Sequence, residues 1–142
     1  MQIFDGMRAD SGEPVIPVRM NMGDMFAFRC HKDVKCWNKC CHGANITLTP
    51  MDILRLCRRL KLRPREFLAQ YTVPALHEQS NLPIAKLKMT GDDGKGACQF
   101  MHAIDGCTVY ADRPATCRYY PLGYATLKMK DSEEKSEFHF LI

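Results

Sequence analysis

Two absences frame the sequence. No apolar run approaches the length needed to cross a bilayer, so a membrane-spanning helix is not expected. The opening "MQIFDGMRADSGEPVIPVRM" has neither the basic start nor the long apolar stretch of a secretion signal. The expected compartment is therefore the cytoplasm, where thiols stay reduced. Signatures of familiar enzymes are missing too: no Ser/His/Asp arrangement, phosphate-binding loop, dinucleotide fingerprint or paired-carboxylate pattern is present. Net charge is low, +4 over 142 residues, which argues against a dedicated nucleic-acid surface. The C-x-x-C knuckle of zinc ribbons is also absent, although cysteine is plentiful.

There are eight cysteines, and four fall within "RCHKDVKCWNKCCH": Cys30, Cys36, Cys40 and Cys41. In a reduced compartment such a cluster points to metal or redox chemistry rather than to a disulfide frame. Cys98, Cys107 and Cys117 follow in a second region. Cys57 is set apart, because it lies on the apolar stripe of a predicted helix and behaves there as a small hydrophobe. The remaining seven read as loop or strand-end thiols, the soft ligands that zinc and iron–sulfur clusters select. Neighbouring side chains diverge in an extended chain, so Cys40 and Cys41 suit a bulky cluster or two separate centres better than one ion. His31, His42 and His102 stand near the cysteines and read as bystanders. Arg29, Lys32, Lys35, Lys39 and Arg118 are placed to offset thiolate charge.

One domain of α+β class is expected: two short helices over a small, mostly antiparallel sheet, with the cysteine loops gathered at one end. Residues 1–25 read as an N-terminal arm and 26–142 as the cysteine-cluster domain. Its clearest helix is "LTPMDILRLCRRL". Thr49 is the N-cap, Pro50 opens the first turn, Asp52 completes a capping box, and Ile53, Leu56, Cys57 and Leu60 form the buried stripe. "RPREFLAQY" reads as a second helix with Phe67, Leu68 and Tyr71 inward. "VIPVRM" and "MFAFRC" read as strands or extended segments leading into the cysteine-rich loop, "IAKLKM", "GYATLKM" and "EFHFLI" as strands, and Ile104-Asp105-Gly106 as a hairpin turn between two short runs. "DRPATCRYYP" reads as one helical turn capped by Asp112 and ended by Pro121. The sequence stops within an apolar run, and the protein is expected to continue beyond Ile142.

Taken together, "FRCHKDVKCWNKCC", "LTPMDILRLCRRLKLRPREFLAQY" and "CQFMHAIDGCTVYADRPATCRYYPLG" resemble the bacterial and archaeal cysteine-cluster proteins described as zinc- or iron-chelating domains. The resemblance covers roughly residues 26 to 123. It implies that Cys30, Cys36, Cys40, Cys41, Cys98, Cys107 and Cys117 are metal-binding positions. This chain departs from the family's C-x-x-C-x-x-C-C in its longer C-x5-C-x3-C-C spacing, and it lacks the eighth cysteine that relatives add further on. A more distant relative with a similar cluster is the flagellin lysine methylase.

The function expected from these readings is binding of an iron–sulfur cluster or zinc, with a redox or sensing role. The alternative is a metal-dependent component of a protein-modifying, methylation-like enzyme. Arg113 and Arg118 bracket Cys117 and are the candidate cofactor-binding cations; their simpler role is to fix the turn that carries the last thiol. The basic run Arg55, Arg58, Arg59, Lys61, Arg63 and Arg65 has no interleaved aromatics, so nucleic acid is not the expected partner. A protein partner is compatible with the sequence.

Overall fold

The computed structural model describes residues 18–128 and 135–141. In chain order these form β1 (Val18–Met20), β2 (Thr47–Leu48), α1 (Pro50–Leu60), α2 (Pro64–Tyr71), β3 (Thr72–Leu76) and β4 (Pro83–Leu87). They continue with β5 (Met101–His102), β6 (Gly106–Cys107), α3 (Ala115–Tyr119), β7 (Leu122–Lys128) and β8 (Lys135–Leu141). Short 3-10 turns cover Lys39–Cys41 and Tyr110–Asp112. All strand pairing is antiparallel, and the class is α+β, as expected. The chain divides into two compact units, one of Arg29–Arg118 and one drawn from the chain before and after it. Among the described residues no helix is long and apolar enough to cross a membrane.

Within the 29–118 unit, α1 starts where its sequence says it should. Asp52 N–H donates to Thr49 Oγ1 at 3.1 Å, and Thr49 N–H donates back to Asp52 Oδ2 at 2.9 Å. This capping box satisfies two N–H groups that a helix start otherwise leaves open. Lys61 turns left-handed at φ 55° and closes the helix, with Leu62 N–H on Cys57 C=O at 3.0 Å. Leu56 and Cys57 are buried, and Ile53 and Leu60 pack against the same core. α2 uses only the return half of this device, Arg63 N–H on Glu66 Oε2 at 2.9 Å, since a guanidinium cannot accept.

The core gathers Ile46, Leu48, Leu56, Phe67, Leu87, Met89, Phe100 and Val109 around Cys57. Its aromatic spine stacks Phe67 on Tyr71 at 5.5 Å and Tyr71 on Phe100 at 5.1 Å. Truncating a fully buried phenylalanine such as Phe67 costs about 3–5 kcal/mol. The sheet under the helices has the order β2-β4-β3, and Leu87 and Met89 bury their side chains beneath it.

Three readings differ from the structure, the strand reading of "MFAFRC" among them, and one strand was not anticipated. Leu68 is exposed: α2 is two turns long and commits Phe67 and Tyr71 inward, leaving the next position outside. Thr72–Leu76 follows α2 without a loop and forms a strand that its proline disguises. It is an edge strand, where the missing N–H of Pro74 is tolerated. "MFAFRC" is not a strand. Asn21 and Asp24 close a turn just before it (Asn21 N–H to Asp24 Oδ2 at 2.7 Å), and Met25, Phe26 and Phe28 are exposed. Asp112 does not cap α3. It lies in the preceding 3-10 turn facing Arg59 at 4.0 Å, and the α3 start is held by Asp52 instead.

In the other unit, β8 is central, with β1 and β7 on either side. Val18 pairs with Leu141 and Leu122 with Leu141 across the two ladders. Phe28 meets Tyr120 edge-to-face at 5.8 Å. Residues 1–17 of the expected arm and most of the acidic loop "KDSEEKS" lie outside the described residues, while Val18–Met20 of that arm forms β1.

Candidate metal centre

The first cysteine segment is wound by successive three-residue turns. Val34 N–H bonds His31 C=O, Trp37 N–H bonds Val34 C=O, Lys39 N–H bonds Cys36 C=O and Cys41 N–H bonds Asn38 C=O, all at 3.0–3.1 Å. Asn38 takes a left-handed conformation at φ 61°, which short polar side chains tolerate best after glycine. The coil carries Cys36, Cys40 and Cys41, with Cys30 directly before it.

This coil is docked onto the second cysteine region through its backbone. His42 and Ala97 form a β-bridge, Cys98 N–H donates to Cys41 C=O at 2.6 Å, and Gly43 N–H donates to Gly96 C=O at 3.0 Å. The Trp37 ring lies directly against the Cα of Gly106, leaving no room for a Cβ there. Gly106 also has φ 77°, so both the turn and the indole require glycine. Past the turn, Cys107 pairs with Met101, and Thr108 N–H bonds Phe100 C=O at 2.8 Å. The hairpin thus delivers Cys107 back beside Cys98.

Cys117 arrives on α3. The first N–H of that helix, on Ala115, donates to Asp52 Oδ1 at 3.0 Å, while Oδ2 of the same carboxyl caps α1. One buried side chain therefore fixes both helix starts. Trp37, Gly106 and Asp52 position the thiols, and sequence reasoning did not assign them to the site. The Asp-Gly turn and the single tryptophan were visible; that they touch was not.

The seven thiols form one electrostatic cluster. Cys41 donates a hydrogen bond to the sulfur of Cys40, which lowers the Cys40 thiol to about 6 and raises that of Cys41. Burial raises Cys30, with further contributions from Cys40, Cys36 and Cys107. Burial likewise raises Cys98 and Cys107, each also feeling Cys40. Cys117 is pushed up to about 12 by burial and then by Cys98, Cys107 and Cys40. The guanidinium of Arg113 lowers Cys30, Cys40, Cys107 and Cys117, opposing these effects. Cys57 stands outside the cluster: its thiol is raised by burial alone.

Arg113 is itself held, with Nε donating to Tyr110 C=O at 2.8 Å and the guanidinium 3.6 Å from the centre of the Tyr110 ring. Arg118 donates through Nε to Arg113 C=O at 3.0 Å and through Nη2 to Ala111 C=O at 2.9 Å, so it ties the turn before α3. The three histidines near the cysteines are engaged locally. His31 faces Asp33 at 3.6 Å, His42 Nδ1 meets Asn38 C=O at 2.8 Å, and His102 meets Asp105 at 2.9 Å. Among the described residues, no three His, Cys, Asp or Glu side chains are placed to hold a metal ion as they stand. The donor chemistry suits a thiophilic metal, and the thiols are gathered but not closed around a centre.

A comparison with protein families matches residues 29–138 to the CxxCxxCC family, described as "Putative zinc- or iron-chelating domain". Comparisons with curated proteins and with solved structures returned no match.

Proposed function

Since the chain belongs to the CxxCxxCC family, we propose that its seven clustered thiols, Cys30, Cys36, Cys40, Cys41, Cys98, Cys107 and Cys117, hold the zinc or iron that the family's description names. One observation carries the assignment of ligands. Cys36, Cys40, Cys41, Cys98 and Cys107 each act on the ionisation of another thiol in the set, Cys30 and Cys117 are acted on by it, and Cys57 neither acts nor is acted on. The vicinal pair favours an iron–sulfur cluster, whose several irons accept thiolates that a single tetrahedral ion cannot. Such a centre supplies one-electron chemistry, and the role we assign is redox or sensing.

The protein's own residues have defined tasks here. Ligation requires thiolates, so the Cys41 proton now donated to Cys40 must leave. Arg113, locked over Tyr110, offsets the negative charge that accumulates, and Arg118 holds the turn on which Cys117 depends. Cys98, Cys107 and Cys117 are half-buried and pack against the hydrophobic core, so they would hold the centre on its apolar side.

Visible absorption of protein purified without oxygen, with iron, sulfide and zinc assayed on the same sample, tests this reading. Brown protein with iron and acid-labile sulfide supports the cluster. Colourless protein with stoichiometric zinc replaces it with a structural centre. Protein that retains neither metal on reconstitution refutes the proposal.

A further inference from the structure

Opposite its buried stripe, α1 carries a second face that the fold leaves uncovered. Residues 55–65 contain six cations and no acidic side chain. Two of the six are accounted for: Arg63 pairs with Glu66 at 2.8 Å, and Arg59 reaches Thr108 C=O at 3.3 Å and Asp112 at 4.0 Å. Arg55, Arg58, Lys61 and Arg65 have no acidic partner among the described residues. Like charges three and four residues apart on a helix repel one another, so Arg55, Arg58 and Arg59 weaken the helix that bears them. Two apolar side chains stand within this basic face, Met51 at 54% and Leu54 at 38% exposure. Met51, Leu54, Arg55 and Arg58 fall at i, i+3, i+4 and i+7, which is one side of the helix.

We propose that this face of α1, with its C-cap Lys61 at its end, docks an acidic amphipathic segment of another protein. Charge complementarity sets the sign of the partner, and the apolar pair sets its class. Carboxylates meet the arginines bidentately, and an apolar side chain of the partner covers Met51 and Leu54. A nucleic-acid backbone offers nothing to those two residues. Residues 50–62 contain no aromatic side chain, so the helix itself offers the cations no stacking platform. This inference does not depend on which metal the thiols hold.

The full chain, its metal content assayed in each sample, is titrated with a fluorescent synthetic helix bearing a glutamate face and a leucine stripe. Poly-glutamate and duplex RNA serve as comparison ligands. The helix peptide binds tightest, and the double substitution Arg55→Glu/Arg58→Glu weakens it about tenfold or more. Leu54→Ser weakens the helix peptide but not poly-glutamate, and Lys95→Glu, on an exposed loop, changes neither. Leu54, Arg58 and Lys95 are exposed and Arg55 is half-buried, and helicity and metal content, assayed in each variant, are expected to stay constant. Equal affinity in the double variant overturns the proposal. RNA binding tighter than peptide, and indifferent to Leu54→Ser, overturns it in favour of a phosphate backbone. Peptide binding by a chain that retains no metal leaves this inference standing and refutes the proposed metal centre.

Discussion

Asp52 is the side chain whose removal tests the architecture most directly. It is 2% exposed, and its two oxygens accept from Thr49 N–H at 2.9 Å and Ala115 N–H at 3.0 Å. A hydrogen bond to a charged group contributes about 1.5–3 kcal/mol, and removing the acceptor leaves two backbone donors facing a void. Asp52→Ala is therefore expected to cost about 3–5 kcal/mol, a large part of a small domain's stability. Thr49→Ala removes only the single cap bond on Asp52 N–H and should cost about 1 kcal/mol. Asp52→Asn keeps one acceptor and turns an amide N–H₂ towards a donor, so it should fall between them. Urea unfolding at fixed metal concentration, followed by the fluorescence of the single tryptophan and by far-UV circular dichroism, gives the three values. Asp52→Ala should also speed metal loss to a chelator, because the α3 start that carries Cys117 loses its tether, whereas Thr49→Ala should not. If Asp52→Ala and Thr49→Ala cost the same, the link between the two helix starts contributes nothing and the reasoning fails.

Other outcomes follow from the same contacts. Cys40→Ser or Cys41→Ser should abolish metal retention, measured by elemental analysis, while Cys57→Ser should keep full metal content and lose about 1–3 kcal/mol for its buried hydroxyl. Gly106→Ala forces a Cβ into the Trp37 ring at a positive φ, and should destabilise by about 2 kcal/mol or more and shift the Trp37 emission. In the metal-free reduced protein, burial raises the Cys98, Cys107 and Cys117 thiols, the last to about 12. The folded chain then holds protons that the unfolded chain releases near the ordinary thiol value. This stabilisation is complete below about pH 8.5 and is lost as pH rises towards 12. Denaturation midpoints that stay flat over that range would contradict it.

Much of the fold was legible because it is written in local chemistry. Thr49, Pro50 and Asp52 announce α1, alternation announces β4, and Asp105-Gly106 announces the hairpin. The separate place of Cys57 was legible, since it lies on the apolar stripe of α1 and is buried there. What stayed hidden is non-local. The capping-box pattern accounts for one oxygen of Asp52, but its other partner, Ala115, is far along the chain and has no counterpart in the α1 sequence. Asp112, a plausible cap by position, loses that role because its segment is a 3-10 turn facing Arg59. Leu68 misleads because apolar character fixes a preference for burial, while the length of α2 decides how much face there is to bury. Thr72–Leu76 is a strand only because β4 pairs with it.

The wide spacing between the first cysteine coil and Cys117 has a consequence during synthesis. The coil is complete once Cys41 has emerged, but its backbone dock awaits Cys98 and its last neighbour awaits Cys117. At roughly 5–20 residues per second the ribosome takes several seconds to cover that interval. Throughout it, the nascent chain displays an adjacent pair of thiols with no hairpin and no Asp52–Ala115 tie to enclose them. The fold therefore sets an order of events: the thiols made first wait longest for their neighbours, and the adjacent pair stays without them until α3 is in place.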